Sequence, residues 1–186
     1  SQYGTLQSIE VLSDAVMKMS QGQLLELRSL GKIIDENTYI KIIDYKTGAL
    51  FGACMAVGAL MAGREDYWEF YHMGMLAGRA FQLIDDALDY YGKEEKLGKP
   101  TGSDLAEGKC TYPLISVLDG LTEDQKNLFY NGEHERLRRL VIELGGVEKT
   151  KEKAEGELKK VLAFIKSFDE SENLKDLILR LVYREY

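Results

Sequence analysis

The 186 residues carry a formal charge of −7 and 45% hydrophobic side chains, enough for one domain with its own core and the wrong sign for a nucleic-acid partner. No run reaches the ~18 uninterrupted apolar residues of a membrane span, and Ser1-Gln2-Tyr3-Gly4 lacks the basic and apolar pattern of a secretory leader. Cys54 and Cys110 lie far apart, carry no metal-ligand pattern, and fit a reducing cytoplasm.

With only two prolines and few β-branched runs, the chain is predicted to be helical throughout, with no repeat or interdomain linker. It lacks an initiator Met and starts inside a helical pattern, so its gene is expected to begin earlier. Thr5 to Leu30 reads as one helix, with Ile9, Leu12, Val16, Met19 and Gln23 at helical spacing and Gly31 as its stop. Within it, Gly22-Gln23 reads plainly as a packing glycine and an exposed amide. Asp35 caps a second helix expected to run to Ala62 and end at Gly63. After Lys46-Thr47 this helix reads GALFGACMAVGALMAG, small and apolar, so it is a central helix packed closely on its neighbours. A lone lysine entering such a helix is ordinarily a snorkelling edge residue.

Arg64 to Phe70 forms a turn and the start of the next helix, whose run from Tyr71 to Tyr91 has only Gly74 and Gly78 as breakers. At about 100° per residue, Asp85 and Asp89 share a stripe with Tyr71, Gly74, Gly78, Phe81 and Gln82. Leu76, Ala80, Leu83 and Ala87 make the other side apolar as well, which marks a buried helix. Asp85, Asp86 and Asp89 therefore point into protein, where mutual repulsion and lost hydration disfavour ionisation unless a cation compensates. Asp oxygens with no His or Cys beside them favour Mg²⁺ over zinc. The two glycines are expected to leave room for a cavity along the helix.

As a bare pattern, DDxxD is more often a solvated helix face. The residues after it reverse that expectation: Gly92, Lys93, Lys96, Gly98, Lys99, Gly102, Asp104, Gly108 and Lys109 form a basic, glycine-rich stretch directly beyond the acidic end. Such a stretch approaches and neutralises a polyanion while the carboxylates hold its metals. His72 and His134 stand alone and read as structural. Beyond Pro113 the expected helices cover Leu114 to Leu118, a segment capped by Thr122 with Asp124 or Gln125, Glu133 to Leu144, and Val147 to Phe168. The last has a solvated lysine and glutamate face. Ser171 caps a final helix with Leu174, Leu177, Ile178 and Leu181 facing inward.

FQLIDDALDY followed by GKPTGSDLAEGKCTYP resembles the second aspartate-rich region of the trans-isoprenyl (polyprenyl) diphosphate synthases. The matching positions are Phe81, Gln82, Asp85, Asp86, Asp89, Gly98, Lys99, Asp104, Gly108, Lys109, Thr111 and Pro113. Lys46-Thr47 resembles that family's Lys-Thr element, Gly22-Gln23 its Gly-Gln pair, and the Arg184 terminus its Arg-containing end. The resemblance implies an all-α helical bundle of the isoprenoid synthase type, here one domain over residues 1–186 forming the C-terminal portion of such a bundle. DDxxD occurs once, and the first aspartate-rich half has no match.

The implied reaction is Mg²⁺-dependent condensation of isopentenyl diphosphate with an allylic diphosphate. Asp85, Asp86 and Asp89 would hold metal, and Lys46, Lys99 and Lys109 would meet diphosphate. Lys46, Thr47 and Gln82 would serve the reacting centre, with Asp104 and Gln23 in support. The alternatives are a non-catalytic subunit of a heteromeric synthase and a class I terpene cyclase. A cyclase's second motif usually spaces Asn or Asp, Ser or Thr, and Glu, unlike DDxxD followed by two Gly-Lys elements. One metal wall alone predicts association with a copy of the chain or with the missing half.

Overall fold

Thr5 sets the start of the first helix, α1 (Leu6–Ser29), by accepting the Ser8 backbone N–H on its side-chain oxygen at 3.2 Å. A computed structural model describes residues 5–91, 102–168 and 171–183. Gly92, Lys93, Lys96, Gly98, Lys99 and Arg184, singled out in the sequence, lie outside them. Asp35 caps α2 (Glu36–Ile43) by accepting from Thr38 N–H at 2.7 Å, as its position predicts. The helix does not then run unbroken to Ala62. It passes through one π-helical turn, Asp44–Gly48, in which the Ala49 N–H reaches back five residues to the Asp44 carbonyl, before α3 (Ala49–Met61) begins. Local spacing cannot reveal that extra residue, because contacts from α1 and the helix after α3 hold it.

Helix α4 (Tyr67–Tyr91) is the centre, buried on nearly every side as its apolar circumference predicts. Ala77, Ala80, Leu83 and Ile84 share one core with Leu158, Val161 and Ile165 of α9 (Gly146–Ile165) and Ile178 and Val182 of α10 (Glu172–Tyr183). Its C-terminal end, Ala87 and Tyr90, enters a second core. That core is made by α5 (Ser103–Ala106), α6 (Tyr112–Ile115), α7 (Glu123–Tyr130) and α8 (His134–Glu143), through Leu105, Leu114, Leu128 and Leu137. Burying each such leucine stabilises the fold by about 1.5–3 kcal/mol. Thr122 and Gln125 form the expected capping box at α7. Among the described residues there is no strand, and no helix is long and apolar enough to cross a membrane.

Several expectations change. Gly74 and Gly78 do not open a cavity: a Cβ on Gly74 would stand 2.7 Å from the Gly52 Cα, and one on Gly78 would stand 2.8 Å from the Gly48 Cα. Both glycines let α3 lie directly on α4. Helix α1 buries Ser8, Val11, Ala15 and Gly22, not the row of large residues. Ile9, Leu12 and Val16 are exposed, because α1 meets the alanines of α3 through its small side chains. In α10 the buried row is Ile178 and Val182, while Leu177 and Leu181 face outward. Glu157 departs from the predicted solvated face of α9 and is buried beside α4.

Candidate active site

The π turn, α1, α2, α4 and the segment after α5 surround a cavity of about 200 Å³. Its walls bring together Lys46, Thr47, Gln82, Asp85, Asp86, Asp104 and Lys109 of the sequence expectations, with Glu26 and Tyr39 added. Segments distant in sequence thus converge on one space. Among the described residues its lining holds four carboxylates and two ammonium groups.

Helix α1 lies close enough to the π turn that a Cβ on Gly22 would stand 2.6 Å from the Lys46 backbone nitrogen. That contact explains Gly22 as a packing glycine and brings Glu26, one turn further along α1, to the cavity edge. The Lys46 ammonium donates to the Glu26 carboxylate at 2.7 Å. Gln23 is exposed, does not line the cavity, and touches this pair only by donating from Nε2 to Glu26 Oε2 at 3.2 Å.

Thr47 donates its hydroxyl to Gln82 Oε1 at 3.0 Å, and Gln82 Nε2 donates to Asp86 Oδ1 at 2.8 Å. The other oxygen of Asp86 accepts the Tyr39 hydroxyl at 2.6 Å. Each group has its partner, so the buried polar chain fixes the orientation of the Gln82 amide and the Asp86 carboxyl together. Burial, then the charge of Asp86, holds the Tyr39 phenol well above its ordinary range, which keeps it a donor.

Asp86 is only 3% exposed, and its two donors are neutral. Burial first, then the nearby Asp104 and Asp85 carboxylates, pushes its acid up to about 8. A raised folded value favours folding fully below the unfolded value of about 3.9 and loses that contribution as pH climbs. Without divalent cations, Asp86→Asn is therefore expected to gain in melting temperature relative to the native chain as pH rises from about 4 to about 8. Paired thermal melts in a chelator check this. A constant difference across that range would mean that Asp86 carries no such penalty.

Asp89 departs from its expected place. It is fully buried and accepts Ser103 Oγ–H at 2.7 Å and the Asp104 N–H at 3.1 Å, while its carbonyl accepts the Gly102 N–H at 2.7 Å. The third aspartate of DDxxD thus fastens the start of α5 instead of lining the cavity. Helical spacing alone puts it on the stripe of Asp85, but α5 packs against that end of α4 and captures it.

Lys109 sits 3.2 Å from Asp104 Oδ1 and 2.7 Å from Glu107 Oε2. Burial works against its charge, but Glu107 and Asp104 hold it above its ordinary range, so it is an ammonium at any working pH. The donor set around Asp85, Asp86 and Asp104 consists of carboxylate oxygens, with Asp86 disfavoured as a bare anion, and this chemistry fits a hard divalent cation. Among the described residues no three acidic, His or Cys side chains converge on one point as a ready-made metal cluster.

Sequence reasoning passed over Glu26 and Tyr39. Glu26 lies three residues beyond Gln23 on the same helix face, a signal available from spacing. Tyr39 precedes Lys46 by seven residues, and an unbroken helix would carry a comparable signal, but the π turn obscures it.

The polyprenyl synthetase family profile matches residues 1–140 of this chain. Octaprenyl diphosphate synthase of Escherichia coli K12 is 36% identical over 171 residues, covering 86% of this chain and 53% of that protein. Heptaprenyl diphosphate synthase component 2 of Geobacillus stearothermophilus is 33% identical over 125 residues, covering 63% and 38%. Heptaprenyl diphosphate synthase of Staphylococcus aureus has the same fold, with a TM-score of 0.89 at 23% identity over 98% of this chain and 61% of the other. Polyprenyl synthase of Caulobacter crescentus CB15, solved in complex with calcium and isoprenyl diphosphate, gives 0.88 at 30% identity over 98% and 60%. The chain therefore spans about half, or less, of the curated relatives it matches.

Proposed function

The chain belongs to the polyprenyl synthetase family, and on that footing we propose that it forms the diphosphate-ionising wall of a trans-prenyltransferase. The reaction is condensation of isopentenyl diphosphate with an allylic diphosphate. The observation that carries this reading is the convergence of Lys46, Thr47, Gln82, Asp85, Asp86 and Lys109 on one cavity. Two cations and a carboxylate group in one small space suit a ligand that is a polyanion with its own metal. A calcium and isoprenyl diphosphate complex in the Caulobacter relative supports a divalent cation and a prenyl diphosphate here.

Asp85 and Asp86 would hold the cation, which we propose to be Mg²⁺. When bound, it would withdraw charge from the diphosphate leaving group. The Lys46 ammonium leaves Glu26 for a diphosphate oxygen, and Lys109 meets the same group from the opposite wall. Lys99, outside the described residues, is assigned to it by resemblance. These fixed positive charges stabilise the negative charge that grows on the diphosphate as the allylic C–O bond breaks. The carbocation left behind is attacked by the double bond of isopentenyl diphosphate, a new C–C bond forms, and a proton is lost from the adjacent carbon. Thr47 and Gln82, locked by their hydrogen bonds to one another and to Asp86, present a fixed polar surface beside that carbon. The free cysteines Cys54 and Cys110 support a reducing compartment, for which we propose the cytoplasm.

A second metal wall is needed across the cavity, and DDxxD occurs only once in the 186 residues. We propose that the N-terminal half of such a bundle, carrying the first aspartate-rich motif, supplies it, whether on the same polypeptide or another; a copy of this chain is the alternative partner. The test is a prenyl-transfer assay with labelled isopentenyl diphosphate, an allylic diphosphate and Mg²⁺. The chain alone is expected to give no product, and the mixture with a segment carrying that motif is expected to give some. Robust synthesis by the chain alone would contradict the one-wall reading. A silent mixture whose chain still binds the allylic diphosphate would favour the non-catalytic subunit instead.

A further inference from the structure

Lys46 and Thr47, which line the cavity, are carried by a π turn in place of the α turn that the flanking helices would continue. One extra residue in a turn is unfavourable by itself, and it persists where surrounding contacts over-determine it. Here the contacts can be named. Arg79 of α4 grips the first residue of the turn, Asp44, with both arms of its guanidinium: Nε donates to Oδ1 at 2.9 Å and Nη2 donates to Oδ2 at 2.8 Å. The next residue back on α4, Gly78, lies against Gly48 at the other end of the turn. Gly22 of α1 backs the Lys46 nitrogen between them. The remaining arm, Nη1, donates to Glu157 of α9 at 2.9 Å, and Lys160 holds the second oxygen of Glu157 at 2.8 Å. Arg79 is four-fifths covered and Glu157 more so, which makes this a largely desolvated network and not a surface pair.

We propose that Arg79 and Asp44 are positioning residues whose two-pronged ion pair holds the Asp44–Gly48 turn in its π form and so aims Lys46 and Thr47 into the cavity. The inference rests on the diphosphate reading for what those two side chains do once aimed, but the holding of the turn stands on its own geometry. If the turn relaxed to an α register, α3 would rotate by about 100° relative to α2, and Lys46 and Thr47, inside the turn, by a part of that. The Thr47 bond to Gln82 and the Lys46 approach to the cavity would both be lost. A lysine in place of Arg79 keeps the charge but has no planar fork, so it cannot engage both oxygens of Asp44 and Glu157 together.

The test compares Arg79→Lys with Glu157→Gln, which disturbs the same network on the side away from the turn. Three quantities are read in the chain: amide hydrogen exchange at Lys46 to Ala49, Mg²⁺-dependent affinity for inorganic pyrophosphate, and melting temperature. Arg79→Lys is expected to speed exchange of the Ala49 amide, which carries the π-type hydrogen bond, and to weaken pyrophosphate binding about tenfold. Glu157→Gln is expected to lower the melting temperature while leaving exchange in the turn and affinity unchanged. Asp44→Asn, which keeps the shape but loses the charge, should behave as Arg79→Lys does and serves if the lysine variant does not fold. Unaltered Ala49 exchange in both clamp variants, or equal changes in Glu157→Gln, would overturn the proposal. If the native chain binds no pyrophosphate, the functional reading fails, and the exchange comparison still decides the clamp.

Discussion

Asp85→Ala is expected to weaken Mg²⁺-dependent binding of inorganic pyrophosphate by at least about a hundredfold, equivalent to about 2.7 kcal/mol, while the helical circular dichroism stays that of the native chain. The two halves of this expectation have separate causes. Asp85 lines the cavity at the end of a helix already held on all sides by apolar packing, and its side chain is only partly covered. Truncating it removes an oxygen ligand without opening the core. The same change at Asp86 or Asp89 would also break buried hydrogen bonds, through Tyr39 and Gln82 in one case and through Ser103 and Asp104 in the other. Asp85 is less covered than Asp86 and Asp89, so loss of binding is read there with the smallest disturbance of the core. Calorimetric titration with and without Mg²⁺ provides the measurement, and native affinity in the variant would remove Asp85 from the metal site.

Lys46→Ala is expected to lower turnover of the allylic diphosphate by about a hundredfold to a thousandfold in the enzyme reconstituted with its second wall, the usual effect of deleting one preorganised charge from a growing oxyanion. Lys46→Arg should recover part of it, since the charge returns but its planar fork does not reproduce a compact ammonium on a flexible stem. Stability should change little, because Lys46 is about one-third exposed and its pair with Glu26 lies at the cavity edge. Steady-state kinetics on both variants checks the expectation. Native turnover in Lys46→Ala would return this residue to the role of a snorkelling helix edge.

The parts of this site carried by one helix were legible in the sequence. Asp85, Asp86 and Gln82 sit on α4, whose apolar circumference declares it buried, and burial is what makes aspartates on it chemically informative. The caps at Asp35 and Thr122 were equally legible, because each depends on residues three apart. Features set between elements were not. The π turn is held by Arg79, Gly78 and Gly22 from two other helices, so spacing along residues 35–62 predicts an unbroken helix there. Asp89 has the right helical phase for the cavity, yet α5 takes both of its oxygens. Gly74 and Gly78 look like space, and the structure fills that space with the backbone of α3 at Gly74 and of the π turn at Gly78. Large residues misled on α1 for the same reason: its neighbour presents alanines, so small side chains are the ones that fit.

If the cavity between α1, the π turn and α4 binds diphosphate together with a divalent cation, the two ligands must protect the same backbone, and only jointly. Amide hydrogen exchange of the chain reads this without any partner or substrate turnover, with Mg²⁺ alone, inorganic pyrophosphate alone, and both together. Protection is expected at the π turn, along α4 near Asp85 and Asp86, and in the segment around Lys109, only when both are present. Protection confined to other segments, or protection by pyrophosphate that does not depend on Mg²⁺, would contradict a metal-diphosphate site in this cavity.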